Sequence, residues 1–244
     1  LVATWGWRGA VLVLAVVLAL STAVTRTVVF GARRVPERAT PHQTGAVATG
    51  VRPAVPPGFA VVTAIFAVAT LASGGFGANL IPALGERGIS PSTAAVLGGL
   101  IGVMQLPGRA VLMNGAFGAT SSRLLTLSLA LHAVGFLGVA FTSSSVSAAI
   151  GVSVFALGAG LTTLVRPQLV QGMADAAGAG YLNGRIARQQ QLGRAAGPLL
   201  VATVANLTSY AAVIIAFAVV FLMAAAGCQR VRALTVTAAQ RAAT

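Results

Sequence analysis

Asn79, Gln105, His132, Arg166 and Arg194 are the residues best placed to do chemistry in this sequence, because each stands in or beside a long apolar run. A charge or strong hydrogen-bonding group inside such a run is costly, and it normally faces a partner, a cavity or the interface. Arg194 is the sharpest case. The stretch from Ala195 to Cys228 carries no charge and is interrupted by Asn206, Thr208, Ser209 and Tyr210. It is too long for one membrane span and too short for two, since a spanning helix needs about 20 residues. Two spans fit only if the first begins near Ile186, which places Arg194 within the membrane or at its inner boundary. Arg194 then either snorkels to the interface or meets a backbone carbonyl, a substrate or a gate. Arg166 stands before Pro167, about one turn from the inner end of its run, and has the same two readings.

His132 is the one residue inside an apolar run, apart from arginine, cysteine and tyrosine, that titrates. It is either a packed, hydrogen-bonded histidine or a proton relay. Gln105, Gln168, Gln171 and Asn79 suit interhelical hydrogen bonds, and Asn79, close before Pro82, is also positioned to line an entrance. No nucleophile–base pair, paired carboxylates or phosphate-cradling loop is legible, so enzyme chemistry is not expected. Cys228 is the single cysteine, and His42 and His132 lie far apart, so neither a disulfide framework nor a metal site is expected, and no cofactor is implied.

The elements that must position these residues follow from composition. Of 244 residues, 57% are hydrophobic and 8% charged, too few charges to clothe a water-soluble globule. Net charge is +13, and the acids are Glu37, Glu86 and Asp175. A nucleic-acid binder clusters its arginines on a solvated face; here they sit between apolar runs, which excludes that partner and points to a lipid bilayer. The expected class is an all-α, polytopic membrane bundle.

Seven spans are predicted, over Ala10–Phe30, Phe59–Leu84, Thr93–Met113, Leu124–Phe141, Val146–Val170, Ile186–Leu207 and Ala211–Cys228. Arginine alternates between their connections. Gly31–Pro57 holds Arg33, Arg34, Arg38 and Arg52; Arg109 and Arg123 flank the turn after the third span; Arg185 and Arg188 follow the fifth; the tail holds Arg230, Arg232 and Arg241. Those connections read as cytoplasmic, and so does the C-terminus. Trp5 and Trp7 are expected as interface anchors. The proline-rich Gly31–Pro57 reads as a flexible linker. The division is a helix over 1–30, a linker over 31–57, a six-helix bundle over 58–228 and a tail over 229–244.

Glycines recur at the four-residue spacing that lets helices approach closely in lipid, as at Gly98 with Gly102 and Gly193 with Gly197. Packing is the plain reading; sliding surfaces in a conformational change are the functional one.

A long basic linker followed by six helices resembles half of a major facilitator superfamily transporter. Gly6-Trp7-Arg8 is similar to that family's entry to its sixth helix. Gly102-Val-Met-Gln105-Leu-Pro107-Gly108-Arg109 resembles its basic loop motif between helices eight and nine, although Gln105 occupies the acidic position and Ile101 that of the leading glycine. Gly158-Ala-Gly160, Arg166-Pro167, Asn183-Gly184 and Arg194-Ala-Ala-Gly197-Pro198 look like its helices ten and eleven. The resemblance covers essentially the whole chain. It implies helix six to helix twelve of a carrier, with Gly108 and Arg109 as a conformational latch.

It further implies alternating access around a solute site, and a partnership with an N-terminal bundle not present in this chain. The start at Leu1 rather than Met fits a piece of a longer protein. Uncompensated arginine in the pathway favours a small anionic solute, and no carboxylate lies in any predicted span to relay protons. A seven-helix receptor and an inactive isolated fragment are the alternative readings. Heavy alanine, arginine and glycine use without lysine suggests a GC-rich bacterial source, hence the inner membrane.

Overall fold

A computed structural model of the chain describes the backbone at residues 55–113, 121–174 and 176–242, with isolated helical positions between Gly9 and Leu20. The chain divides into two compact units at Arg52/Pro53. The first predicted span, most of the linker and both tryptophans lie outside the described residues. The second unit is all helix among the described residues: α1 Phe59–Ala78, α2 Leu80–Gly85, α3 Pro91–Met113, α4 Ser121–Ala140, α5 Ser145–Met173, α6 Ala176–Leu207 and α7 Tyr210–Ala242.

The expected second span, Phe59–Leu84, is broken. α1 ends at Ala78, and Asn79 takes a non-helical φ of −105° and ψ of 15° between α1 and α2. Pro82 explains the break: it has no N–H to give the Ala78 carbonyl, whereas three residues into a new helix a missing N–H costs nothing. Gly88, with φ of 74°, then turns the chain out of α2 in a conformation that L side chains rarely adopt. α6 begins ten residues before the expected Ile186, and α7 continues through the expected tail. The start of α5 is fixed by a reciprocal cap, in which the Ser144 hydroxyl accepts from the Ser147 N–H at 3.2 Å and the Ser147 hydroxyl accepts from the Ser144 N–H at 3.1 Å.

Among the described residues, four helices are long and apolar enough to cross a membrane: α1, α4, α5 and the Tyr210–Cys228 part of α7. α3 and α6 are less apolar, α6 because its N-terminal half carries Arg185, Arg188 and the run Gln189–Gln191. All the long helices of this unit also turn large apolar side chains outward, such as Val96 at 73% exposure and Leu199 at 72%. An outer surface of this kind suits hydrocarbon better than water.

The helices fall into two packing groups. α1 packs along α6, whereas α5 packs against both α3 and α4, and α4 packs against α7; contact of α6 with α5 and α7 is sparse. Phe76 of α1 reaches across this seam into an aromatic core. Its ring centroid lies 5.3 Å from Phe136 of α4 and 4.9 Å from Phe155 of α5. Phe221 of α7 closes the same cluster, 5.7 Å from Phe136.

Close approach within the α1–α6 group rests on glycine. A Cβ on Gly193 would stand 2.7 Å from the Ala67 carbonyl oxygen, and one on Gly197 would collide with the Leu71 carbonyl oxygen. Gly98 and Gly102 do not play the expected part. A Cβ on Gly98 would meet only Leu80, at an ordinary 3.6 Å, and one on Gly102 would meet nothing within 4 Å. The face of α3 that enters the bundle is instead the one carrying Gly108. Its Cβ would lie 2.6 Å from the Leu157 carbonyl oxygen of α5.

Candidate functional site

A cavity of about 360 Å³ opens on the seam between the two groups. Five helices contribute one face each, set by helical spacing. α5 supplies Ala159, Thr162, Thr163 and Arg166, an i, i+3, i+4, i+7 row. α6 supplies Gln190 and Arg194, four residues apart, and α1 supplies Ala69, Thr70, Ser73 and Gly74. Gln105 of α3 and His132 of α4 complete the wall. Four of the five candidate residues from the sequence therefore converge here: Arg194, Arg166, Gln105 and His132.

Asn79 does not line it. Its amide donates to the Gly75 carbonyl at 2.8 Å and to the Pro198 carbonyl at 3.1 Å, and its Oδ1 accepts from the Tyr210 hydroxyl at 3.3 Å. All its hydrogen-bonding functions are engaged, so Asn79 acts as a clamp between α1, α6 and α7 rather than as an entrance residue. The carboxylate of Glu86 reinforces that end of the bundle, accepting the Tyr210 N–H at 3.0 and 3.1 Å at the start of α7, where the helix dipole favours negative charge.

The two cavity arginines differ. Arg166 is half-buried and donates from Nη1 to Gln190 Oε1, while Gln190 Nε2 donates to the Thr70 hydroxyl at 3.0 Å. The Thr70 hydroxyl donates in turn to the Phe66 carbonyl at 2.8 Å. This chain runs from α5 through α6 to α1 and so bridges the seam. Arg166 Nε is buried without a partner among the described residues. Arg194 is exposed, and its Cα lies against α1 at Gly74. No carboxylate is among the residues of the cavity wall. A guanidinium supported only by neutral groups keeps its full field in the cavity.

Prolines add backbone acceptors to the same wall. Pro167 has no N–H for the Thr163 carbonyl, and Pro198 has none for the Arg194 carbonyl. Both freed carbonyls belong to residues that line the cavity.

His132 forms the rear of the wall and is fully buried. Its Nδ1 stands 2.8 Å from the Ser128 carbonyl, so Nδ1 carries a proton and donates. Its ring stacks on Phe221 at 4.9 Å with an interplanar angle of 1°. Nε2 has no partner among the described residues. The neighbouring Ser128 hydroxyl pairs with Thr162 and the Gly158 carbonyl, which ties α4 to α5.

Gly108 and Arg109 lie inside α3, not in a loop, because α3 runs on to Met113. Arg109 Nη2 reaches Gln105 Oε1 one turn back, at a long 3.4 Å. Of the polar residues in the wall, sequence reasoning missed Gln190, Thr70, Ser73, Thr162 and Thr163. The α5 row had a legible signal, since Thr162, Thr163 and Arg166 share one helical face. Gln190 falls in a run of three glutamines, and nothing in the sequence distinguishes which of them faces inward. No cluster of histidine, cysteine, aspartate and glutamate that could hold a metal occurs among the described residues.

No protein-family model matches the chain, and no curated protein matches it.

Proposed function

We propose that this chain is a bundle of a secondary carrier that moves a small solute across a membrane by alternating access. The observation that supports this most is the cavity itself. A polar, arginine-bearing cavity is lined by five helices, three of which (α1, α4 and α5) are long and apolar enough to span a membrane, and it lies between two helix groups that touch sparsely. Polar and ionisable groups within spans mark solute pathways. A cavity on a sparse seam also changes shape when the groups move. The order of motifs along the chain supports a carrier of the major facilitator type, in which this bundle pairs with a second one around a shared passage.

In this reading Arg166, Arg194 and the threonines of α1 and α5 contact the solute, and Gln190 positions Arg166. Asn79, Tyr210 and Glu86 hold the end of the bundle where α1, α6 and α7 meet. His132, packed against Phe155 and Phe221 where it meets the cavity wall, has a packing role.

Exchange in proteoliposomes tests the proposal. Vesicles loaded with a solute panel and containing the chain together with the second bundle that the carrier reading requires are expected to show saturable counterflow of at least one solute, abolished by the cavity-filling Ser73→Phe. Absence of counterflow for every solute, together with a signal evoked by ligand in cells carrying the chain, would favour a receptor.

A further inference from the structure

Resting on that reading, we infer that the cavity binds a small anion bearing a carboxylate or phosphate group, and that Gln190 is the stand-in which holds Arg166 until the anion arrives. Three observations lead there. First, two arginines on different helices, Arg166 of α5 and Arg194 of α6, line one cavity whose wall contains no carboxylate. Half-burying the Arg166 guanidinium without counter-charge is costly, and an anion entering between it and the more exposed Arg194 is the partner that relieves the cost. Second, Ser73 of α1 lines the same wall with a hydroxyl that can donate to an oxyanion oxygen, whereas the hydroxyls of Thr162 and Thr163 already donate to the Gly158 and Gly160 carbonyls.

Third, the partner of Arg166 is a neutral amide. Gln190 Oε1 accepts from Nη1, and the buried Nε of the same guanidinium has none among the described residues. A guanidinium offers a planar fork that pairs with two oxygens of a carboxylate or phosphate at once, and such charge-assisted pairs are about twice as strong as neutral ones. A bound anion therefore outcompetes Gln190. The exchange also has a structural consequence. Gln190 is the middle of the chain Arg166–Gln190–Thr70, so releasing it removes one of the polar bridges across the seam between α5 and the α1–α6 pair. Anion binding and loosening of the seam become one event, with Gln190 as a positioning residue and Arg166 as the contact.

The test is equilibrium binding of radiolabelled benzoate and of inorganic phosphate to the full chain in phosphatidylcholine nanodiscs, with neutral benzamide as the control. Benzoate or phosphate is expected to bind, and benzamide to fail. Arg166→Gln and Arg194→Gln should each weaken binding by about ten-fold or more, the loss expected when a charged hydrogen bond goes. Arg166→Lys and Arg194→Lys should retain an intermediate affinity, which separates loss of charge from loss of fold. Gln190→Ala should tighten binding by a few-fold, because it frees Arg166 beforehand; a purely structural Gln190 would leave the affinity unchanged or weakened.

Equal affinity in wild type and both glutamine variants, or no anion binding, would overturn the inference. Binding of benzamide that Ser73→Phe blocks, with no anion binding, would overturn it while leaving the carrier reading standing. Nanodiscs containing phosphatidylglycerol separate the sources of the anion. No binding of the soluble probes in phosphatidylcholine, together with enrichment of phosphatidylglycerol around the wild type that Arg166→Gln abolishes, would assign the arginines to a headgroup and overturn a soluble anion.

Discussion

Arg166 and Gln190 join the two halves of the helical bundle: the guanidinium on α5 donates to the amide oxygen on α6, and that amide donates on to Thr70 of α1. The pair lies in the wall of the cavity, so what holds the two helix groups together at this point is also what a solute would touch.

Gln190→Glu follows directly. The substitution turns the Arg166 contact into an ion pair in a partly dry site, which stabilises that contact by about 1–3 kcal/mol, while it removes the Nε2 donor to Thr70, whose hydroxyl must then turn from the Phe66 carbonyl to donate to the carboxylate. The thermal midpoint should rise, and counterflow should fall several-fold, because the bridge no longer yields. A variant that raised both the midpoint and the counterflow would show that the bridge does not restrain movement of the seam.

The glycines divide into two sets that behave oppositely. Gly197→Val places a branched side chain against the Leu71 carbonyl of α1 and should destabilise the bundle by about 3 kcal/mol. Gly102→Ala meets no atom within 4 Å and should be neutral, or stabilising by up to about 1 kcal/mol from helix propensity. Thermal melts in detergent monitored by size-exclusion elution rank the two, and the reverse ranking would contradict the α1–α6 contact.

Asn79→Ala removes the acceptor of the Tyr210 hydroxyl and the donor to the Pro198 carbonyl. The expected loss is about 1–3 kcal/mol of stability, without a change in solute affinity, because Asn79 lies outside the cavity wall. Glu86→Gln should cost about 0.3–1 kcal/mol by taking the negative charge from the start of α7. Saturation curves beside the melts check both: a weaker apparent affinity in Asn79→Ala would return that residue to the solute pathway.

Much of this was legible in the sequence. Apolar run length gave the helices, and charged or strongly hydrogen-bonding residues within apolar runs singled out Arg166, Arg194, Gln105 and His132, which meet at one cavity, and Asn79, which does not line it. Boundaries were less legible where helix continues into polar sequence. α6 begins at Ala176 because glutamine and arginine are good helix formers, whereas hydropathy marks only its apolar part. The break at Asn79 had its signal in Pro82, which run length hid. Glycine spacing alone could not tell the packed face of α6 from the open face of α3: Gly193/Gly197 and Gly98/Gly102 have the same spacing, and only the neighbouring helix decides which is covered. The pairing of Arg166 with Gln190 spans 24 residues and two helices, a relationship that only the fold creates.

The carrier reading turns on whether the cavity opens to both sides of the membrane. With Cys228 replaced by Ser, single cysteines at Ser73→Cys on α1 and Ala159→Cys on α5 can be probed with a membrane-impermeant maleimide, added in turn to each face of oriented vesicles. The account predicts labelling from either face and protection of both positions by transported solute. Labelling confined to one face, unchanged by solute, would contradict it.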